Sequence, residues 1–269
     1  MSNGMKTYKQ VFSELKRAAL IPFFVIGDPD FDASVAIVKT AIDAGADILE
    51  LGVPFSDPIA DGPTIQKADI RALGSGMNVA KGLEFVQRVK DYKDIPIGLL
   101  MYYNLVYQYG TEKFFSDFHE AGVNSVLIAD LSIDDADEIA EPAASAGLDT
   151  VFMVTPNTEP ERMKLIASRT TGFIYTVSLL GVTGSREKLS NVVEGLVGKL
   201  KKLTSVPVCV GFGISKPEHA AMIASAGADG VIIGSKIVGL IEENLGNREK
   251  MLAEISSFLS DVKTAISPR

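Results

Sequence analysis

Short apolar runs alternate with amphipathic stretches along the whole chain, and this alternation constrains the fold more than any other feature. Eight runs rich in Val, Ile and Leu predict strands at 20–26, 47–52, 95–101, 124–129, 149–153, 172–178, 206–211 and 229–234. Stretches of helical period follow them and predict helices at 32–44, 79–92, 111–121, 134–146, 159–169, 190–203, 216–226 and 248–265. A further helix is predicted ahead of the first strand, at 7–18.

The predicted strands are apolar almost throughout, which is typical of a parallel sheet that is buried on both faces. A recurrent phrase places Gly where a helix should end, just before the next strand. It occurs as Ala44-Gly45-Ala46-Asp47, Ala121-Gly122-Val123-Asn124, Ala146-Gly147-Leu148-Asp149 and Ala226-Gly227-Ala228-Asp229. Eight strand–helix units predict the α/β class and a (β/α)8 TIM barrel, with an additional N-terminal helix and extended loops after strands 2 and 6. The 269 residues suit one such barrel, so residues 1–269 are predicted to form a single domain.

Composition and charge exclude several classes of function. A net charge of -8 gives no basic field for a phosphate backbone, so a nucleic-acid partner is not expected. The polar start and the lack of an apolar run of about 18 residues predict a cytoplasmic protein without a membrane span. Cys209 lies in an apolar run and is predicted to be a buried structural thiol, and the two distant histidines give no support to a metal site.

A carboxylate interrupts the second predicted strand. Alternation along this strand separates Glu50 from Leu49 and Leu51, so Glu50 is expected to face the barrel axis. A buried carboxyl has a raised pKa and can both donate and accept a proton. Asp61, in the turn-rich loop that follows, is expected nearer solvent and ionised. The alternative is that Glu50 forms an internal salt bridge, while Asp57 and Asp61 only shape turns.

Glycine turns follow the last two predicted strands. The segments 211–215 and 234–236 each open a helix, and exposed amides at helix starts bind anions. Barrels often hold phosphate at this position, although glycine is also common in any tight turn. Gly184 adds a third glycine from the loop after strand 6. The long loops after strands 2 and 6 lie on the same rim and suggest a lid.

The segment 49–66 resembles the signature of the tryptophan synthase α-subunit family, and the resemblance extends over nearly the whole chain. Further segments match the family in order: Pro22-Phe23, Gly27-Asp28-Pro29, Gly98 to Asn104, Ala129-Asp130-Leu131, Gly181-Val182-Thr183-Gly184 and Gly211 to Ser215. The resemblance implies a carbon–carbon lyase of tryptophan biosynthesis, which cleaves indole-3-glycerol phosphate to indole and glyceraldehyde 3-phosphate by a retro-aldol reaction.

The resemblance also implies roles for individual residues. Glu50 matches the proton-transfer carboxylate, Asp61 the acceptor of the indole N–H, and Tyr175 a tyrosine lining the site. Tyr175 could equally be a buried aromatic residue with a satisfied hydroxyl. The positions around the indole are Phe23, Leu100, Tyr102, Ala129 and Phe212, each of which could also be ordinary core. The phosphate-binding positions are Gly184, Gly213, Gly234 and Ser235, with Ile214 contributing its backbone, and Thr183 is a further substrate-binding position.

A protein partner is implied by the same resemblance. Asp57, Pro58 and Asn104 resemble the face that meets the β subunit in an αββα complex. No cofactor is expected on this chain, and pyridoxal phosphate is expected on the β subunit. The leucines at 179 and 180 differ from the family pattern, in which a basic, small or hydroxylated residue is often found.

Other functions remain open at this point. A stand-alone indole-3-glycerol-phosphate lyase would use the same residues. An isomerase or epimerase of sugar phosphates would share the glycine turns without needing Glu50 and Asp61. A non-catalytic barrel that binds a phosphorylated ligand has no need for a proton donor at the end of a buried strand.

Overall fold

The computed structural model describes residues 5–177, 186–211 and 213–267 of the chain. In these ranges the strands are β1 (Ala19–Val25), β2 (Leu49–Gly52), β3 (Ile97–Met101), β4 (Ser125–Ile128), β5 (Asp149–Thr150), β6 (Phe152–Val154), β7 (Ile174–Val177), β8 (Val208–Gly211) and β9 (Gly230–Ile233). The helices are α1 (Tyr8–Glu14), α2 (Phe31–Asp43), α3 (Pro63–Gly74), α4 (Val79–Tyr92), α5 (Tyr103–Tyr109), α6 (Thr111–Ala121), α7 (Asp137–Ala146), α8 (Pro160–Arg169), α9 (Arg186–Leu203), α10 (Pro217–Ser225), α11 (Ser235–Glu243) and α12 (Arg248–Ala265). A short 3-10 helix, Ile133–Asp135, precedes α7.

The sheet closes into the predicted barrel. Its strands follow the order β5-β4-β3-β2-β1-β9-β8-β7-β6, and every neighbouring pair is parallel. The two ends of this order, β5 and β6, are separated along the chain only by Val151. The Val151 amide donates to the Val126 carbonyl oxygen at 3.0 Å. The strand predicted at 149–153 is therefore two segments on either side of Val151, and the continuous chain between them closes the barrel.

The recurrent glycine phrase has a structural explanation at the N-terminal end of the barrel. Gly45 and Gly122 have φ values of 101° and 110°, in the left-handed region that favours glycine, and each follows the end of a helix. The polar residue at the last position of the phrase then forms hydrogen bonds with a neighbouring strand. Asp47 accepts a hydrogen bond from the Leu20 amide at 2.8 Å, and the same carboxylate is held by Arg17 at 2.7 Å and 2.9 Å. The phrase thus ends a helix and fixes the start of the adjacent strand.

Helix α1 covers the bottom of the barrel, at the N-terminal ends of the strands. It ends at Glu14 and not at residue 18 as predicted, because Leu15 is already extended and the chain turns there into β1. Tyr8 of α1 reaches inside the barrel, where its hydroxyl lies 2.7 Å from the Ser125 hydroxyl. A Cβ atom at Gly98 would lie 2.8 Å from the Tyr8 hydroxyl, so glycine at that position makes room for the tyrosine.

The connection after β2 is shorter and more ordered than predicted. The sequence predicts about 25 residues between strand 2 and the next helix, with a helical turn or two at 64–72, whereas the structure has the 12-residue helix α3 and irregular chain only at 53–62 and 75–78. Pro63 begins this helix, a position at which proline is favoured, and Ile65, Ala68 and Ala72 are buried along one face. Helix α5 was also not predicted. The loop predicted after strand 6, at 178–185, lies outside the described residues.

None of the helices in the described ranges is both long and apolar enough to cross a bilayer. Cys209 is fully buried on β8, as its apolar surroundings predicted. Burial raises the pKa of its thiol well above the usual value, as expected for a structural cysteine.

Candidate active site

A cavity of about 610 Å³ opens at the C-terminal ends of the strands. This volume suits a small organic ligand. The described residues that line it are Phe23, Ala60, Asp61, Gly62, Ile65, Leu100, Ala129, Met153, Tyr175, Val177, Gly211, Gly213, Ile214, Ser215, Ile232, Gly234, Ser235 and Lys236. The cavity therefore joins an apolar region to the glycine turns after β8 and β9.

Glu50 lies in the barrel interior, directly opposite Phe23 of β1 and Gly98 of β3 in the sheet register. Its side chain is only 3% exposed, and its Oε2 atom has no hydrogen-bond partner. No cation of the described ranges forms a salt bridge with it, so the structure does not support the alternative of an internal ion pair. Glu50 is not among the residues that line this cavity; together with Tyr8 and Ser125 it lines a separate small void in the barrel interior.

The surroundings of Glu50 favour its neutral form. Burial, with a contribution from the negative charge of Asp61, raises the pKa of Glu50 from 4.5 to about 8. At neutral pH most molecules therefore carry a protonated Glu50, which is the state of a proton donor. The expectation that this carboxyl faces the barrel axis with a raised pKa agrees with the structure.

Asp61 lines the cavity from the loop between β2 and α3. The Tyr102 hydroxyl donates to Asp61 Oδ2 at 2.7 Å, and the Ala60 amide donates to the same hydroxyl at 3.0 Å. Tyr102 thus fixes both the carboxylate and the backbone beside it. Asp61 is half-buried and therefore nearer solvent than Glu50, as expected. Burial raises the pKa of Asp61, and the hydrogen bond from Tyr102 opposes that change.

Tyr175 lies on β7 and contributes to the wall of the cavity. A Cβ atom at Gly211, on the neighbouring strand, would overlap the ring and hydroxyl of Tyr175. Glycine at position 211 therefore gives the tyrosine its place in the wall. Burial raises the pKa of the Tyr175 hydroxyl well above its usual value, and nearby Glu50 and Asp61 add to the effect. The hydroxyl is accordingly neutral at physiological pH.

The glycine turns line one part of the cavity together with a cation. Helix α11 begins at Ser235, and Gly234 before it caps the helix without a side-chain hydrogen bond. The first amides of a helix have no partner within the helix and favour anions. Lys236, in the first turn of α11, is the one cationic side chain among the described lining residues. The charge and the amides make this part of the cavity suitable for phosphate.

Most of the predicted site residues lie around this cavity. The predicted residues that line it are Phe23, Asp61, Leu100, Ala129, Tyr175, Gly213, Ile214, Gly234 and Ser235. Tyr102 is not part of the lining and instead holds Asp61. Thr183, Gly184 and Phe212 lie outside the described residues. Asp57 and Asn104 are exposed and Pro58 is half-buried, in segments that the bond between Ala60 and Tyr102 brings together.

Six further lining residues were not predicted: Ala60, Gly62, Ile65, Met153, Val177 and Ile232. Gly211, Ser215 and Lys236 also line the cavity, and they lie within the two turns, 211–215 and 234–236, that were predicted to bind anions. Strand alternation could have identified Met153, Val177 and Ile232, because inward-facing residues near the C-terminal ends of barrel strands line the site. The position of Lys236 directly after the Gly234-Ser235 turn is a local pattern that indicates a cation in the phosphate site. No local pattern indicates that Ile65 lines the cavity, because α3 itself was not predicted in full.

Comparisons with known proteins agree over almost the full length of the chain. The sequence pattern of the family described as "Tryptophan synthase alpha chain" matches residues 10–267. The tryptophan synthase alpha chain of Methanothermobacter thermautotrophicus is 46% identical over 259 residues, covering 96% of both chains. That of Methanoregula boonei is 44% identical over 261 residues, covering 97% of this chain and 98% of the relative.

Solved structures give the same result. Tryptophan synthase subunit alpha from Legionella pneumophila str. Paris superposes with a TM-score of 0.90 at 32% identity, covering 98% of this chain and 99% of that one. A chain of the tryptophan synthase complex from Pyrococcus furiosus superposes with a TM-score of 0.84 at 36% identity, covering 93% of this chain and 99% of that one. On this similarity of sequence and structure, the chain belongs to the tryptophan synthase alpha chain family.

Proposed function

We propose that this chain cleaves indole-3-glycerol phosphate to indole and glyceraldehyde 3-phosphate, in the biosynthesis of tryptophan. The observation that carries the proposal is the pairing of two carboxyl groups in different environments. Glu50 is buried, unpaired and largely protonated at neutral pH, whereas Asp61 is half-buried and hydrogen-bonded by Tyr102. Such a pair can divide proton donation and charge stabilisation between its members.

The reaction requires that one proton be added to the substrate and that another be removed from it. A proton is added to C3 of the indole ring, and the electron pair for this bond comes from the ring, which becomes positively charged at nitrogen. The glycerol hydroxyl next to the ring then loses its proton and becomes a carbonyl group. The carbon–carbon bond breaks, and its electron pair restores the aromatic ring. Indole and the aldehyde leave without any net gain or loss of protons.

One carboxyl can perform both transfers. The protonated Glu50 gives its proton to C3, and the resulting carboxylate accepts the proton of the glycerol hydroxyl, so that Glu50 ends as it began. Glu50 does not line the cavity, so the proposed reaction requires its side chain to turn from the void beside Tyr8 and Ser125 toward the substrate. Asp61 accepts a hydrogen bond from the indole N–H and stabilises the positive charge that develops at nitrogen. The proposed reaction uses no cofactor on this chain.

The apolar part of the cavity suits the indole ring. Phe23, Leu100, Ala129 and Met153 line it and offer a flat aromatic ligand an apolar surface. Tyr175 contributes its ring to the same wall. We propose that these side chains hold the indole, and that the turns at Gly213 and Gly234 hold the phosphate.

Lys236 supports the proposed phosphate site and gives a testable prediction. Replacing Lys236 with Met retains the length of the side chain but removes its charge. We expect KM for indole-3-glycerol phosphate to rise by about 5-fold, the effect of losing one charged contact in a partly solvated site. The value of kcat should change little, because the phosphate does not react. Steady-state kinetics at low ionic strength measure both constants.

A lysine far from the cavity serves as the control for this variant. Lys250→Met, at an exposed position of α12, removes the same charge from the protein without touching the cavity. It should leave KM unchanged. An unchanged KM in Lys236→Met would show that this side chain does not contact the phosphate.

The proposed function is tested by incubating the purified chain with indole-3-glycerol phosphate. Indole and glyceraldehyde 3-phosphate should appear in equal amounts and at equal rates. Glyceraldehyde 3-phosphate can be followed by a coupled dehydrogenase assay and indole by extraction. If neither product forms, alone or with a β subunit, the proposed reaction is wrong and the chain only binds its ligand.

We propose further that a tryptophan synthase β subunit, which carries pyridoxal phosphate and joins indole to serine, docks beside this cavity in an αββα complex. Asp57, which is exposed, and the half-buried Pro58 lie on the loop that carries Asp61, and the exposed Asn104 lies in the first turn of α5, which follows Tyr102. A partner bound there would restrict the Asp61 loop and favour its productive position. Indole release should therefore be faster in a verified complex than in the isolated chain. Equal rates would contradict this coupling, while leaving the cleavage reaction itself intact.

A further inference from the structure

The sheet is incomplete between the C-terminal parts of β4 and β6. The ladder between β4 and β5 ends at Val126 and Thr150, and the Val151 amide adds one bond to the Val126 carbonyl oxygen. Beyond this point β6 pairs with β7, and in the described ranges no ladder joins β6 to β4. A second cavity, of about 160 Å³, lies there, lined by residues 127–128, 131–133, 151–153, 162 and 166. We call it the side cavity.

The lining of the side cavity is mainly apolar. Two polar side chains, Ser132 and Arg162, belong to its described lining, and both have partners. The Arg162 guanidinium donates to the Ser132 hydroxyl at 2.9 Å and forms a salt bridge with Asp134 at 2.8 Å. A charged or strongly polar group would have to compete with these bonds, whereas an alkyl group would not. The side cavity therefore suits a small apolar group.

Met153 lies at the border of the two cavities. Among the described residues it is the one that lines both the side cavity and the candidate active site. Alternation along β6 explains this position, because Phe152 and Val154 belong to the core around the barrel while Met153 packs against the apolar cluster inside it. The side chain of Met153 is therefore the part of the wall that a ligand in the active site would meet first on this side.

We propose that Met153 separates the indole-binding part of the active site from the side cavity, and that it thereby limits the size of the substituents that the indole ring can carry. A smaller side chain at this position joins the two spaces. The chain then takes indole-3-glycerol phosphates with an alkyl group on the benzene part of the ring. This inference rests on the proposed function, because it assigns the apolar wall beside Met153 to the indole.

The test uses unreactive indole alkyl phosphates, which lack the glycerol hydroxyls and cannot be cleaved. The parent ligand has an unsubstituted ring, and four derivatives carry a propyl group at ring position 4, 5, 6 or 7. Calorimetric titration of the full chain gives the dissociation constant of each ligand. The affinity of a derivative relative to the parent measures the space beside that ring position, since the phosphate and indole contacts cancel.

The wild type should bind at least one derivative more weakly than the parent, namely the one whose propyl group meets Met153. In Met153→Ala the relative affinity of that derivative should rise by about 10-fold or more, as expected when three apolar carbons leave water. Met153→Val removes less of the side chain and should give a smaller rise. Met222→Ala, the same change on α10 and outside both cavities, should retain the wild-type ratios.

A double variant shows which space the propyl group occupies. Leu131 lines the side cavity but not the active site, so Leu131→Phe reduces the side cavity alone. Combined with Met153→Ala, it should remove most of the gain in relative affinity. A gain that persists in full would contradict the inference, because the propyl group would then fill only the space left by the methionine.

The remaining outcomes separate the inference from the proposed function. If the wild type does not bind the parent ligand, the assignment of the active site to indole and phosphate fails. If the wild type binds the parent and neither Met153→Ala nor Met153→Val raises the relative affinity of any derivative, the role of Met153 is wrong. Circular dichroism confirms that each variant is folded before titration.

Discussion

Replacing Glu50 with Gln is expected to lower kcat for indole release by at least about 10²-fold, the lower end of the range for loss of a general acid or base. Gln has almost the same shape as protonated Glu, so the packing against Tyr8 and Ser125 is kept. It cannot release a proton to C3 of the indole or accept one from the glycerol hydroxyl. KM should change little, because the apolar wall and the phosphate turns remain.

Steady-state kinetics with indole-3-glycerol phosphate measure this effect. Glu120→Gln, an identical change at an exposed position of α6, provides the control and should retain wild-type kinetics. Turnover close to wild type in Glu50→Gln would refute proton transfer by Glu50. A loss that appears only in KM would assign this carboxyl to binding.

The same substitution is expected to stabilise the folded protein at high pH. The pKa of Glu50 is about 8 in the folded chain, against 4.5 for an unperturbed glutamate. Below pH 4.5 both states are protonated, and Glu50 adds no pH dependence. As the pH rises from 4.5 to 8, the unfolded chain loses this proton first, so the folded state is destabilised relative to it. At about 1.4 kcal/mol for each pKa unit, the penalty above pH 8 approaches about 5 kcal/mol.

Glu50→Gln has no proton to lose and avoids this penalty. We expect its free energy of unfolding to match the wild type at pH 4.5 and to exceed it at pH 9 by several kcal/mol, with about 5 kcal/mol as the upper bound. Urea unfolding at both pH values measures the difference. Other titrating groups, such as Asp69, are present in both proteins and cancel in the comparison. An equal free energy at pH 9 would mean that Glu50 is ionised without cost in the folded chain.

These two expectations together describe a conflict between stability and activity. The unpaired carboxyl destabilises the folded chain at alkaline pH, and the same isolation keeps it protonated for catalysis. A cation beside Glu50 would remove the penalty but would also lower its pKa and make it a poor donor at neutral pH.

The barrel could be predicted from the sequence because its elements depend on local patterns. Parallel strands buried on both faces are continuous apolar runs, and the glycines at 45, 122, 147 and 227 mark the ends of helices. Glu50 was found for a related reason. A carboxylate within such a run has no place in a core unless it is paired or functional.

The missed features depend on contacts between distant segments. Helix α3 begins at Pro63, and the pair Gly62-Pro63 is typical of a turn. The helix is stabilised by the packing of Ile65, Ala68 and Ala72 against the rest of the protein, which the local sequence does not show. The partnership of Tyr102 with Asp61 joins residues 41 positions apart, and no local pattern encodes it. The void that Glu50 shares with Tyr8 of α1 likewise joins distant parts of the chain, and no local pattern encodes it.

The central claim is that a protonated Glu50 supplies the proton for cleavage. Its most direct test is a pH titration of the chain labelled with ¹³C at glutamate side-chain carboxyls, with Glu50→Gln to identify the resonance. We predict that one resonance titrates near pH 8, that it is absent from Glu50→Gln, and that indole release by the wild type falls with the same midpoint. A Glu50 resonance that titrates near pH 4.5 would contradict the claim, because that carboxyl would be ionised throughout the working range.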